Sequence, residues 1–257
     1  MISLLTEILS SRGVCVVTAA DDADTLVVRE ALKLASSKPV NFYAEDTDVL
    51  CMLIYHISKV PYDITFITKS GSYSMKAIYG SLPEGEGKVL LLAHAFSGCD
   101  TTSSICGFGK VRIMKKLASK NAPLSLLDTL LNTGSSRNDV ADAGIQIFQY
   151  IYGQPSTNLH QIYYDMYNKS MAKRKLLPQK LPPTESAATH HTLQAFMQCR
   201  DWVLLQSQSL DPSEYRWSRS SGTFEPIDFF GDILNFTICN CSTTKRVVIA
   251  MTYELQQ

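Results

Sequence analysis

Neither sign of charge predominates in this chain. Lysine plus arginine number 24, and aspartate plus glutamate number 24. That balance excludes a global basic field of the kind that attracts nucleic acid, so any such partner would be held by a local patch. Long apolar runs are also missing: none approaches the roughly 20 residues of a membrane span. The start, MISLLTEILSSRG, has no basic n-region and no long apolar h-region, which argues against a secretory signal. Cysteine is sparse and unpatterned. The seven residues are scattered, most inside apolar runs such as VCVV around Cys15 and VLCMLI around Cys51. This set fits reduced, buried thiols in an intracellular protein better than a disulfide framework. The one close pair, Cys239-Asn240-Cys241, offers two thiols, too few to close a zinc site. No internal repeat and no low-complexity tract interrupts the chain.

With 257 residues, 45% of them hydrophobic, there is material for one large domain or a domain with an appendage. Residues 13 to 68 read as alternating strands and helices. GVCVVTA has the β-branched content of a buried strand. The next segment carries Leu26, Val27, Ala31, Leu34 and Ala35 at helical spacing, and Pro39 ends it. VNFYA reads as a second strand and VLCMLIYHI as a helix. YDITFIT reads as a third strand, closed by Ser70-Gly71. Strand, helix, strand at this length predicts parallel pairing and an α/β domain. From about residue 84 the texture is helical: EGKVLLLAHAF, KVRIMKKLAS, APLSLLDTLLN, DVADAGIQIFQYIYG and NLHQIYYDMYNKSMAKRK. LLPQKLPPTES reads as a linker or surface crossing, and THHTLQAFMQCRDWVLLQSQ as a further helix. The expected units are a core over 1–120, a helical extension over 121–176, and a linker with a C-terminal region over 177–257.

Three groups of acids stand out: Asp21, Asp22 and Asp24 after the first expected strand, Asp46 and Asp48 after the second, and Asp100 in FSGCDTTSSICGFGK. In parallel α/β sheets, sites form beyond the carboxyl ends of the strands. Two of the groups fall there, in adjacent units, so their side chains can converge. Converged carboxylates repel, and a divalent cation removes that cost. Oxygen ligands without a His or thiolate cluster favour Mg²⁺ or Mn²⁺. Two such ions about 4 Å apart are a recurring device for cutting phosphodiesters. Helix capping is the competing explanation, since Asp22 and Asp46 each stand at an expected helix start. A helix needs one cap, however, which leaves Asp24, Asp48 and Asp100 over. The turn Gly107-Phe108-Gly109 also has two readings. Glycine there can supply positive φ between helices. It can also free backbone N–H groups at the start of KVRIMKKL, an anion site ringed by Lys110, Arg112, Lys115 and Lys116.

In this order, AADDADTLVVREAL, YAEDTDVLCML and FSGCDTTSSICGFGKVRIMKKL resemble the flap endonuclease group of structure-specific 5′ nucleases, in the wider PIN-like superfamily. The resemblance covers roughly residues 13 to 118. It implies a PIN-like parallel sheet with flanking helices, followed by a helical region with a helix–three-turn–helix-type motif. It implies Asp22, Asp24, Asp46, Asp48 and Asp100 as metal-facing carboxylates. Gly107, Gly109 and Lys110 become backbone-binding positions, with a K⁺ at the glycine turn. The combination is also similar to a set of poorly characterised invertebrate proteins that share EDTDVL and GCDTTS, a helical region, an LPPT segment and a cysteine-rich tail. Members of the nuclease group begin with a strand bearing a further metal-ligating Asp. This chain begins at what reads as the middle of such a domain, so a truncated or degenerate core is the expectation.

The function expected on these grounds is a divalent-metal-dependent, structure-specific nuclease acting on nucleic acid, with DNA as the favoured partner. No membrane association is expected, and nuclear placement follows from the substrate alone. A catalytically inactive nucleic-acid-binding or scaffold protein is the runner-up. A phosphatase using Asp46 as nucleophile leaves the first acid group and the glycine turn unexplained. His160, His190 and His191, without a third ligand at metal spacing, read as surface or linker residues.

Overall fold

The computed structural model describes residues 2–19, 23–118, 123–206, 210–215, 217–220, 223–226, 236–238 and 249–251. It is an α/β fold in which helices dominate. In chain order the elements are α1 (Ile2–Ser11), α2 (Asp24–Ala35), β1 (Val40–Tyr43), α3 (Thr47–His56), β2 (Ile64–Thr68), β3 (Gly71–Ser74), α4 (Met75–Ser81) and α5 (Glu86–Ser97). They continue with α6 (Lys110–Leu117), α7 (Leu124–Leu131), α8 (Arg137–Tyr152), α9 (Leu159–Ala172) and α10 (Glu185–Leu204). Two short antiparallel pairs follow, β4 (Trp217–Ser220) with β5 (Thr223–Pro226), and β6 (Phe236–Ile238) with β7 (Ile249–Met251).

The main sheet has the order β1-β2-β3. β1 and β2 pair in parallel, with Phe42 opposite Phe66, and α3 makes the crossover between them. This is the strand–helix–strand unit that the apolar pattern predicts. The expected stop at Ser70-Gly71 is instead a reversal: Gly71 opens β3, antiparallel to β2, so the sheet is mixed rather than parallel. Lys69-Ser70 forms the tip of this hairpin, and Gly71 takes φ +157°, at the edge of what L side chains adopt.

The first expected strand does not form. Residues 14–19 carry no strand pairing, and Val14, Cys15 and Val17 are exposed. β-branched content alone does not make a strand, because a strand exists only by pairing. Cys15 is therefore not a buried thiol, whereas Cys51 and Cys199 are. All five cysteines among the described residues are free, and Cys239 and Cys241 lie outside those residues.

One apolar core runs from Val28 to Tyr215. Helix α5 is buried on nearly every side and touches α3, α6, α7 and α10. Helix α10 packs on α8, α7 and α5, so the stretch expected to follow a linker is part of the same core. The proline-rich segment docks rather than crossing free: Leu181 and Pro182 are buried, and Tyr152 Oη donates to the Leu181 carbonyl at 3.2 Å. His190 and His191 are buried on α10, correcting the surface assignment. His160 is exposed, with Nε2 3.9 Å from Glu185.

The α8–α10 contact depends on one missing side chain. A methyl group at Gly144 would overlap Thr192 Oγ1 and Cγ2 and stand 2.5 Å from Thr192 Cβ. Gly144→Ala is therefore expected to lower stability by about 1–3 kcal/mol through overpacking. Gly80→Ala, at a helical position with nothing within 4 Å, should be neutral or stabilising. Urea midpoints of the two variants check this.

Two buried histidines couple the same core to pH. Burial holds His56 and His191 at about 4, below the ordinary 6.5, although each bonds a backbone carbonyl. Between these values the unfolded chain binds the extra protons. Stability should therefore rise from about pH 4 to pH 6.5 and level off above, by at most roughly 3 kcal/mol per histidine. A urea midpoint clearly lower at pH 5 than at pH 7.5, with little change from pH 7.5 to 8.5, is the expected result.

Candidate metal centre

The acids fall at the ends of elements that the core already fixes. Asp24 is the first residue of α2, and its N-cap position is Ala23. Asp46 caps α3: its Oδ1 accepts the Asp48 backbone N–H at 2.7 Å. Asp48 lies in the first turn of α3, where a negative charge meets the positive end of the helix dipole. Asp100 follows α5 in the turn that leads towards α6. Ligand oxygens of Asp24, Asp46 and Asp48 all lie within 4.8 Å of one another, a cluster that could hold a metal ion. Asp100 lines, with Asp46 and Asp48, an open cleft of about 440 Å³ that is bounded also by Glu45, Gly98, Cys99 and Lys110. The cluster thus draws on both the acids after β1 and the acid at the start of α2. Asp21 and Asp22 lie outside the described residues.

Capping and convergence are both present, in different atoms. Asp46 spends Oδ1 on the helix start. Asp48 Oδ1 lies 2.5 Å from Nε2 of His94, a buried residue of α5 that is 3% exposed. A carboxylate has no proton to give, so the imidazole donates. The His94 ring packs on the indole of Trp202, with centroids 5.6 Å apart. Cys51 lies beneath, its thiol pushed up to about 12 by burial first and by the Asp48 charge next, while Lys110 opposes the shift. Glu45, also on the cleft, accepts the Lys69 N–H at 2.6 Å and so ties the end of β1 to the hairpin tip.

Asp100 is placed by the turn GCDTTS. Gly98 adopts φ +110°, and a Cβ there would meet Ser104 Cα at 3.0 Å, so both conformation and space require glycine. Thr102 pins the turn: its Oγ1 donates to the Ala95 carbonyl at 2.6 Å and accepts the Cys99 N–H at 3.1 Å. Thr101 reaches Gln198 Oε1 at 2.5 Å, and Ser103 Oγ lies 3.2 Å from His191 Nδ1. Small hydroxyl residues are needed here because the turn lies flat on α5 and α10.

The basic residues separate. Lys110 alone among them lines the acid cleft, with Nζ 3.5 Å from His94 Nε2. Arg112 closes the glycine turn, donating to the Gly107 carbonyl at 2.8 Å with its guanidinium 4.3 Å from the Phe108 ring centroid. Lys115 is exposed on α6, and Lys116 lies against Gly153 at the end of α8. Gly107 requires its positive φ of +81°, whereas Gly109 is the α6 N-cap with ordinary φ and open space where a Cβ would stand.

His94 and the Trp202 platform carry no sequence motif. The available signal was that His94 is the one polar side chain in the apolar run from Val89 to Phe96. A scan against family models and searches of curated proteins and solved structures find no match to this chain.

Capping and charge can be separated at Asp46. Asp46→Ala should cost about 1 kcal/mol by losing the cap. Asp46→Asn keeps the acceptor and removes one of the clustered charges, so it should equal or exceed the parent in thermal stability. Melting of the two variants at low ionic strength gives the comparison.

Proposed function

We propose that this chain is a divalent-metal-dependent, nuclease-like protein acting on phosphodiester bonds of nucleic acid, with Mg²⁺ or Mn²⁺ held by Asp24, Asp46 and Asp48. The observation that carries the reading is the convergence of these carboxylates, two of which, Asp46 and Asp48, line a cleft together with Asp100 and Lys110. Carboxylate charges within 4.8 Å of one another repel by about 3 kcal/mol or more per pair at an effective dielectric near 20. Among the described residues, Lys110 is the one lysine or arginine that lines the cleft. An oxygen-only donor set suits a hard ion such as Mg²⁺ or Mn²⁺. When bound, such an ion supplies Lewis-acid stabilisation of phosphoryl charge and a lowered pKa for attacking water.

The remaining roles belong to the chain itself. Lys110 places an ammonium on the rim, where it offsets the repulsion between the carboxylates and a polyanionic backbone. No side chain caps the start of α6, so its first backbone N–H groups could receive an anion, and Lys115 adds a positive charge further along that helix. Arg112 holds the glycine turn closed and so fixes where α6 begins. Asp100, on the same cleft, would bound the space for a phosphate.

The test is cleavage of end-labelled flap and hairpin DNA with Mn²⁺ or Mg²⁺, comparing the parent with Asp46→Asn/Asp48→Asn, which keeps the helix cap. Metal-dependent cutting that falls at least about 100-fold in the double variant is expected. Absence of cutting by the parent overturns the catalytic reading. Duplex binding that persists without cutting, and weakens in Lys110→Ala, would instead identify a nucleic-acid-binding protein that does not hydrolyse its partner.

A further inference from the structure

His94 is not a member of the acid cluster but contacts one of its carboxylates from inside the core. It is 3% exposed on a helix buried on nearly every side. Its ring rests on Trp202, itself 1% exposed, and the Trp202 carbonyl accepts from His56 Nε2 at 2.9 Å. The ring is therefore walled in by α5 and α10. Its Nε2 addresses two groups, Asp48 Oδ1 at 2.5 Å and Lys110 Nζ at 3.5 Å. One nitrogen cannot donate to the carboxylate and accept from the ammonium at once. The shorter contact takes the proton, which leaves the Lys110 ammonium pointing at a nitrogen that cannot accept.

Asp46 and Asp48 are thereby alike in one respect. Each gives Oδ1 to a donor of the protein, the Asp48 N–H in one case and His94 in the other, and neither has a hydrogen bond to Oδ2 among the described residues. A carboxylate with one oxygen held by a protein donor offers the other singly. Bidentate carboxylates and six to eight oxygens suit Ca²⁺, whereas smaller ions of octahedral habit take single oxygens and keep water.

We propose that His94 is the positioning residue of this centre: by holding Asp48 Oδ1 from a buried, immobile ring, it presents Asp48 as a single-oxygen ligand and biases the cluster towards Mn²⁺ and Mg²⁺ over Ca²⁺. The inference rests on the metal reading proposed above. Loss of a donor that orients a ligand typically weakens metal binding about 10–100-fold.

The test is binding of Mn²⁺ alone, followed by electron paramagnetic resonance of the free ion, with Ca²⁺ as competitor and circular dichroism to confirm folding. His94→Phe keeps a ring against Trp202 and removes the donor. It is expected to weaken Mn²⁺ about 10–100-fold and to narrow the preference over Ca²⁺, while His94→Gln, which retains an N–H, stays within about threefold of the parent. A folded His94→Phe with the parent's Mn²⁺ affinity and Ca²⁺ competition overturns the proposal and leaves the metal reading intact. A parent that binds no Mn²⁺, with Asp46→Asn/Asp48→Asn behaving identically, removes both. If His94→Phe does not fold, the unaltered chain decides, through its ¹⁵N-labelled histidine spectrum. The His94 Nε2 proton should resist solvent exchange and shift when Mg²⁺ is added, and an unmoved resonance at saturating Mg²⁺ counts against the role.

Discussion

The near-complete burial of α5 is the constraint from which the rest of the arrangement follows. A helix enclosed by α3, α6, α7 and α10 can keep a polar side chain only if that group finds a partner inside. His94 finds Asp48, and Ser97 Oγ donates to the His94 carbonyl at 3.1 Å. The same enclosure dictates how the chain leaves the helix. A side chain at residue 98 would crowd Ser104 on a backbone of positive φ, and the following turn folds back onto α5 through short hydroxyl side chains. The position of Asp100 is thus a consequence of how α5 ends, and the position of Asp48 is tied to what α5 carries inside.

Opposing tendencies meet at the cleft. Helix starts attract carboxylates through their dipoles and free N–H groups, so α2 and α3 each bring an acid to their first turn at little cost. The packing of α2 beside α3 then forces the acids of the two helix starts together. Favourable local choices produce a globally unfavourable charge density. A cluster of this kind could hold a metal ion, whose charge would relieve the repulsion.

Much of the helical layout was legible in the sequence, because 3.6-residue periodicity over ten or more residues is a strong signal. Helices α2, α3, α5, α8 and α10, and the parallel β1–β2 pair, arise where the pattern predicts. GVCVVTA shows the limit. It has strand composition, but pairing is a tertiary event that no local pattern contains. The β2–β3 reversal was hidden because GSYS is short and polar. The histidines of α10 were misplaced for a different reason. Polarity reads as exposure, yet His191 is satisfied inside by the Phe96 carbonyl and Ser103. At the site, the acid-x-acid pairs and the glycine turn were readable as motifs. His94 was not, because its role depends on a contact with a residue 46 positions away.

The cysteines give the molecule a chemical asymmetry. Cys51 and Cys199 are sealed in the core, and burial pushes both thiols up, far from the thiolate form that reacts. Cys106 is exposed on the turn between α5 and α6, next to Gly107. Cys15 is exposed as well, on the stretch before α2. A thiol-directed label applied to the folded chain therefore reaches the surface near the cleft while sparing the sulfur beneath it. With Cys15, Cys99, Cys239 and Cys241 replaced by serine, a label at Cys106 becomes a local reporter beside α6, able to sense the arrival of a polyanion without altering the carboxylates.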